Sequence, residues 1–190
     1  MENKTNNEQS NEKVVDEAKE LLKARHFKEA LKLFESAIKN DSGNVEVWQG
    51  KAESEVMCLK YVEALESCRK AANLDPEKAS IWFLKSFAHG VLGQYQEALD
   101  SCTSGLELDP SNNMVWCTRG QYLYALGRLE ESLESFGKAL EMDPNNPYFN
   151  EVSKKVQRWL QRDNQNPEWT SKVLSFLQKN GHQDAIAEYK

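Results

Sequence analysis

Nothing in this 190-residue chain marks a membrane span, an export signal or a catalytic centre. No run approaches the roughly 20 consecutive apolar residues that a spanning helix needs. The N-terminus has no hydrophobic signal core, so export by that route is not expected, and the composition is that of a soluble cytoplasmic protein. The three histidines, His26, His89 and His182, fall in separate segments. They lack the His-Glu-x-x-His or Cys/His clustering of a metal site, and the chain has no glycine-rich phosphate loop or nucleophile elbow. No enzymatic activity, cofactor or metal is therefore expected. The four cysteines, Cys58, Cys68, Cys102 and Cys117, show no Cys-x-x-Cys pairing and are expected to be reduced, small apolar residues. Positive charge is also short. A net charge of −6 argues against nucleic acid as the main partner, because phosphate binding needs a basic surface. Residues 147–190 depart from this, with seven Lys or Arg against five Asp or Glu, and Lys154, Lys155, Arg158 and Arg162 read as a solvated helix face.

What the chain has is a period. Trp48, Trp82 and Trp116 stand 34 residues apart, as do Asp75-Pro76, Asp109-Pro110 and Asp143-Pro144. On the same spacing run Phe27, Tyr61, Tyr95 and Leu129, then Ala30, Ala64, Ala98 and Ser132, then Ala37, Ala71, Gly105 and Ala139. Within one unit, Trp82 starts a helix whose Phe83, Leu84, Phe87, Ala88, Val91 and Leu92 lie at three-to-four-residue spacing, and Gly93 ends it. Tyr95, Ala98, Leu99, Cys102, Leu106 and Leu108 give a second apolar stripe, which Pro110 stops because proline lacks the donor that continues the ladder. Small residues at 98 and 105 suit a close helix crossing, and the tryptophans and tyrosines are expected to fill the wider space between neighbouring units. On that footing Trp82→Ala would leave a large void.

A 34-residue helix-turn-helix repeat of this composition resembles the tetratricopeptide-repeat family, with units at 11–44, 45–78, 79–112 and 113–146. The expected fold is all-α: a right-handed superhelical solenoid of four repeats, a capping helix and a short extra helix. The first unit departs from the pattern, with Val14 for the tryptophan, Ser42 for the proline and Glu17 where Lys51, Lys85 and Arg119 stand later, and reads as an N-terminal cap. Asn146-Pro147 starts the capping helix over 147–163, whose Phe149, Val152, Val156, Trp159 and Leu160 share one face. Residues 164–190 read as a linker and a short amphipathic helix marked by Trp169, Val173, Phe176 and Leu177. Residues 1–10 are polar and read as a disordered tail.

The resemblance implies binding rather than reaction, on a concave groove lined by the first helix of each repeat. The groove residues it implies are Glu46, Gln49, Glu53, Val56 and Met57; Ser80, Phe83, Phe87, Gly90 and Val91; Met114, Cys117, Gln121, Tyr124 and Ala125; and Tyr148, Glu151, Lys155, Arg158 and Trp159. Phe83 and Phe87, one turn apart with Met57 and Met114 beside them, form an apolar seat for an extended or helical peptide. Co-chaperone members of the family grip a C-terminal carboxylate through lysine, arginine and asparagine. The matching places here are Val15, Lys19, Gly50, Ser80 and Leu84, or Gln49, Glu53, Leu84, Met114 and Thr118, and neither set supplies the donors of that clamp. Two functions stay open: an adaptor that binds a segment of a partner protein in the groove, or a structural, self-associating protein whose C-terminal helix occupies its own or a neighbour's groove.

Overall fold

The period appears first in the backbone. The computed structural model describes residues 2–162. Four of its turns hold a residue in the left-handed region, Arg25, Leu59, Gly93 and Gly127, at φ of 65°, 63°, 73° and 73°. The amide that follows each of them reaches back five residues: His26 N to Leu21 O, Lys60 N to Glu55 O, Gln94 N to His89 O and Arg128 N to Leu123 O, at 2.8–3.0 Å. This is the Schellman closure of a helix end. It terminates the first helix of each pair and releases the chain into the second.

The pairs are α1 (Glu2–Lys23) with α2 (Phe27–Asn40), α3 (Val45–Met57) with α4 (Tyr61–Leu74), α5 (Ala79–Val91) with α6 (Tyr95–Leu108), and α7 (Asn113–Ala125) with α8 (Leu129–Met142). A last helix, α9 (Pro147–Arg162), follows. No strand occurs among the described residues, and the architecture is an all-α solenoid of helical repeats. The chain divides into two compact units, Met1–Pro110 and Ser111–Lys190. The first holds α1 to α6; the described part of the second holds α7 to α9.

Helix starts are also periodic. Asn44 Oδ1 accepts from Glu46 N, Asn112 Oδ1 from Val115 N, and Asn146 Oδ1 from Tyr148 N and Phe149 N, each satisfying first-turn amides that have no helical partner. The fourth place on this period is Lys78. It has no side-chain acceptor, and no side chain caps α5.

Four columns of side chains make the core, each one residue per repeat. Ala30, Ala64, Ala98 and Ser132 are fully buried, and so are Ala37, Ala71 and Ala139 with Gly105 beside them. Phe34, Cys68, Cys102 and Phe136 form a third column, and Val47, Ile81, Val115 and Phe149 a fourth. Burial pushes the Cys68 thiol up to about 12, with the nearby Glu55 carboxylate adding to the effect, and pushes Cys117 up to about 11. Both stay protonated at neutral pH and act as apolar packing.

Three expectations need correction. Trp48 does pack against a cluster shared by two repeats, Ala52, Cys68 and Ala71 with Ile81, but it sits at the edge, and the tryptophans are not deeply buried. Trp48 and Trp82 are half-buried, and each donates its Nε1–H to a loop carbonyl six residues back, Ser42 O at 2.8 Å and Pro76 O at 2.9 Å. An indole that must keep its N–H bonded settles at the edge of the core, so the large void expected from Trp82→Ala belongs to the buried phenylalanines. Tyr95 is likewise exposed at 37%. Helix α5 begins at Ala79, three residues before Trp82. Residues 2–10, read as a disordered tail, continue α1 to Glu2, a stretch without a glycine or proline to break it. The linker and helix expected at 164–190 lie outside the described residues.

Leu59 and Arg25 are the strained, non-glycine members of the turn series, and Leu59 is the apolar one. Its side chain is 73% exposed and contributes little to the core. The left-handed conformation costs a non-glycine residue about 1–2 kcal/mol, against about 0.5–1 kcal/mol of extra chain entropy for glycine. Leu59→Gly is therefore expected to raise stability by about 0.5–1 kcal/mol, read as a higher urea midpoint with an unchanged slope. A lower midpoint would mean that the leucine packs in a way its exposure does not show.

Candidate functional site

In the first unit the first helices touch one another, α1 with α3 and α3 with α5, whereas α2 with α4 and α4 with α6 make at most marginal contact. Helices that converge on one side and spread on the other form a curved stack. The inner surface is that of α1, α3 and α5.

A cavity of about 240 Å³ opens on this inner side, lined by Lys19 and Leu22 of α1, Phe34 of α2, Glu46, Gln49, Gly50 and Glu53 of α3, and Lys78. Gly50 is required there. A Cβ at this position would stand 2.3 Å from Phe34 Cζ, so the aromatic ring occupies the space a side chain would need. The floor is thus apolar and the walls are charged. Lys19 Nζ bonds Glu46 Oε2 at 2.5 Å, which holds the Glu46 carboxyl below its ordinary range, and the Lys78 ammonium adds to this. Ser80 Oγ donates to Gln49 Oε1 at 3.1 Å and ties α5 to α3.

Glu53 differs. Its side chain reaches the surface, yet no hydrogen bond or ion pair engages it among the described residues, and the surrounding protein desolvates it enough to raise its carboxyl above the ordinary range. Desolvation disfavours the charged form, and nothing nearby offsets it.

Of the other residues expected in the groove, Met57 ends α3 at 42% exposure, Phe83 is half-buried on α5, and Phe87 is 39% exposed with its ring tilted against Tyr61 at 6.4 Å between centroids. In the second unit Met114 and Tyr124 are exposed at the two ends of α7. Gln121 Nε2 donates to the Tyr148 hydroxyl, linking α7 to α9. Lys155 is exposed and paired with Glu151 on the same helix at 2.8 Å, so that cation is engaged. Trp159 lies on α9, and its side chain is outside the described set. The structure thus brings Glu53 to a defined cavity with Glu46 and Gln49, and sets Phe83 and Phe87 on the neighbouring inner helix.

Lys19, Leu22 and Lys78 are cavity residues that the sequence reading did not count as groove residues. Lys78 had one signal: it interrupts the 34-residue series of cap asparagines at 44, 112 and 146. Lys19 and Leu22 had one too: they stand 34 residues before Glu53 and Val56, two of the expected groove places, in a first unit read as a cap. No group of three or more potential metal ligands occurs among the described residues, and no helix among them is long and apolar enough to cross a membrane.

Helix pairs that close their first helix with the same backbone turn and repeat every 34 residues define a helical-repeat solenoid. Sequence models of the tetratricopeptide repeat match residues 15–80 and 114–146, together more than half of the chain. The chain belongs to the tetratricopeptide-repeat family. A model of the protein prenyltransferase alpha subunit repeat matches residues 95–126, which join the second helix of one pair to the first of the next. No curated protein sequence matches. Among solved structures, MamA from Desulfovibrio magneticus RS-1 is 16% identical with a TM-score of 0.74, over 92% of this chain and 97% of that one. YrrB, described as a TPR protein with an unusual peptide-binding site, is 20% identical with a TM-score of 0.68, over 92% and 89%. The first TPR of Spaghetti (RPAP3), bound to the HSP90 peptide SRMEEVD, is 26% identical with a TM-score of 0.60, over 63% and 95%.

Proposed function

We propose that this protein is a non-catalytic adaptor whose inner helix faces bind a peptide segment of a partner protein through apolar anchors. The observation that carries this reading is Phe87. The core columns bury their aromatic rings at 0–1% exposure, whereas Phe87 stands on inner helix α5 at 39%, where it adds little to the packing of its own repeat. Aromatic residues left exposed on an otherwise charged surface mark interaction sites. Two similar repeat proteins, one described as having an unusual peptide-binding site and one bound to a peptide, support peptide binding by a fold of this kind.

The ligand differs in kind from a chaperone tail gripped by its carboxylate. At the five matching places of the first unit, Val15 and Gly50 are buried, Leu84 is apolar, Ser80 is bonded to Gln49, and the one cation, Lys19, is paired with Glu46. A clamp needs several free donors converging on one oxyanion. The alternative of a C-terminal helix docking into the groove rests on residues outside the described part of the chain, and no observation favours it.

Peptides selected from a random library on the purified protein are expected to bind about 5–30-fold more weakly to Phe87→Ala, the loss typical of a desolvated aromatic anchor. The variant's thermal midpoint should move little, because the ring is not core. Selected peptides that bind wild type and variant equally would remove the groove from consideration. A large fall in the midpoint would make Phe87 a packing residue.

A further inference from the structure

The cavity between α1 and α3 says something about the ligand itself. At about 240 Å³ it lies below the roughly 300–1,000 Å³ of sites that enclose a small molecule, and matches one long side chain inserted from a bound segment. Three of its four charged groups act at the end where α3 begins. Lys19 and Glu46 form an ion pair there, and Lys78 acts on Glu46. Glu53 stands seven residues further along α3, about 10 Å at 1.5 Å per residue, and no ion pair engages it among the described residues. A carboxylate at a cavity wall that is desolvated and has no partner is a charge waiting for a counter-charge. Half-buried Leu22, over the buried Phe34 ring, suits the aliphatic stem of lysine or arginine, which buries its methylenes while its charged head stays near the mouth.

The repeat period then adds a distance. Glu53 and Phe87 occupy the same place in successive repeats, on the packed inner helices α3 and α5. Axes of packed helices lie about 8–10 Å apart. A peptide in the polyproline II conformation rises about 3.1 Å per residue with three residues per turn, so side chains three apart share a face and stand about 9 Å from each other. We propose that the groove of the first unit reads a two-point motif, a lysine or arginine seated in the cavity at Glu53 and a bulky apolar residue three positions away on Phe87. This rests on the groove reading above and specifies its ligand.

The test uses fluorescein-labelled decapeptides of serine and glycine that carry one arginine and one leucine three positions apart, in either order. Control peptides replace the arginine by glutamate, replace the leucine by serine, or set the pair two apart. By fluorescence anisotropy, one order of the arginine–leucine peptide should bind about fivefold more tightly than its glutamate control, the upper range for a partly exposed ion pair. Glu53→Gln should abolish that discrimination, and Glu53→Lys should reverse it in favour of the glutamate peptide. Glu35→Lys, the same charge change on exposed outer helix α2, should leave the discrimination intact. Melting curves keep a folding defect apart from a binding one, and none is expected at an exposed side chain. If binding needs Phe87 but ignores the arginine-to-glutamate exchange and both Glu53 variants, the motif is wrong and the apolar groove stands. Equal affinity for the two spacings overturns the two-point geometry. Binding that ignores Phe87 as well, or no binding by any of these peptides, overturns both readings.

Discussion

Phe34→Ala is expected to lower the unfolding free energy of the first unit by about 3–5 kcal/mol, the range for removing a fully buried phenylalanine. Phe34 is 0% exposed and packs in a cluster with Val15, Ala18, Ala30, Ala37 and Val47, with Leu21 and Leu33 at its border. The lower end, about 3 kcal/mol, is favoured because the ring also floors the groove cavity, so the space it leaves opens to water instead of forming a closed void. Gly50 supplies the companion test. Its Cβ position meets three atoms of the Phe34 ring at 2.3–2.8 Å, so Gly50→Ala should itself cost about 1–3 kcal/mol by overpacking. In the double variant Phe34→Leu/Gly50→Ala the smaller side chain leaves room for the new methyl. The two losses should then sum to more than the measured one. Urea unfolding of the four proteins measures this. Strict additivity would show that ring and glycine do not share one space.

Lys51→Met should cost about 3 kcal/mol. Glu55 is 3% exposed on α3, and its carboxylate is paired with Lys51 one turn earlier and accepts a hydrogen bond from Ser67 Oγ of α4 at 2.6 Å. Lys51 Nζ also donates to that hydroxyl at 2.9 Å, and it lies 6.0 Å from the Trp48 ring. Taking away the ammonium leaves a buried carboxylate with one neutral donor, and an uncompensated buried charge is far more costly than the loss of an exposed pair. The double change Lys51→Met/Glu55→Leu should recover most of the loss, to within about 1 kcal/mol of wild type, because two apolar groups can replace a buried ion pair. Other repeats dispense with the carboxylate alone. On the 34-residue period, Leu21 and Leu123 stand where Glu55 does, and Arg119 bonds Ser135 at 2.5 Å without a carboxylate at that place. Urea midpoints of the single and double variants decide it. A double variant as weak as Lys51→Met alone would mean that the network stabilises the fold by more than charge compensation.

Much of this architecture is legible in the chain. Helix ends follow from local stereochemistry: glycine or a strained residue at the left-handed turn, an asparagine at the start, a proline after the close. These act within a few residues of one another, so a 34-residue repetition in sequence becomes a repetition in space. The two columns of small residues were legible for the same reason, since alanine at 30, 64 and 98 has a meaning only at a close helix crossing. The inner helices were legible in part: Phe87 lies exposed outside the core pattern, and Glu53 lines the cavity from α3.

Burial was not legible where it depends on what another repeat brings. Trp82 and Phe34 are both large and aromatic, and the sequence favoured the tryptophan because it recurs. The structure places the phenylalanine inside because Gly50 of the next pair leaves room for its ring, while the indole N–H holds the tryptophan at a loop carbonyl. Glu53 and Glu55 are near neighbours in one helix with the same chemistry. The first turns to the inner surface, away from any partner, and the second turns under α4, where Ser67 meets it. The sequence by itself determined where the helices begin, end and pair, because caps and turns are short-range. Only the tertiary structure decided which side chains are core and which charge is satisfied, because solvent is excluded from any one residue by groups a repeat or more away in the chain.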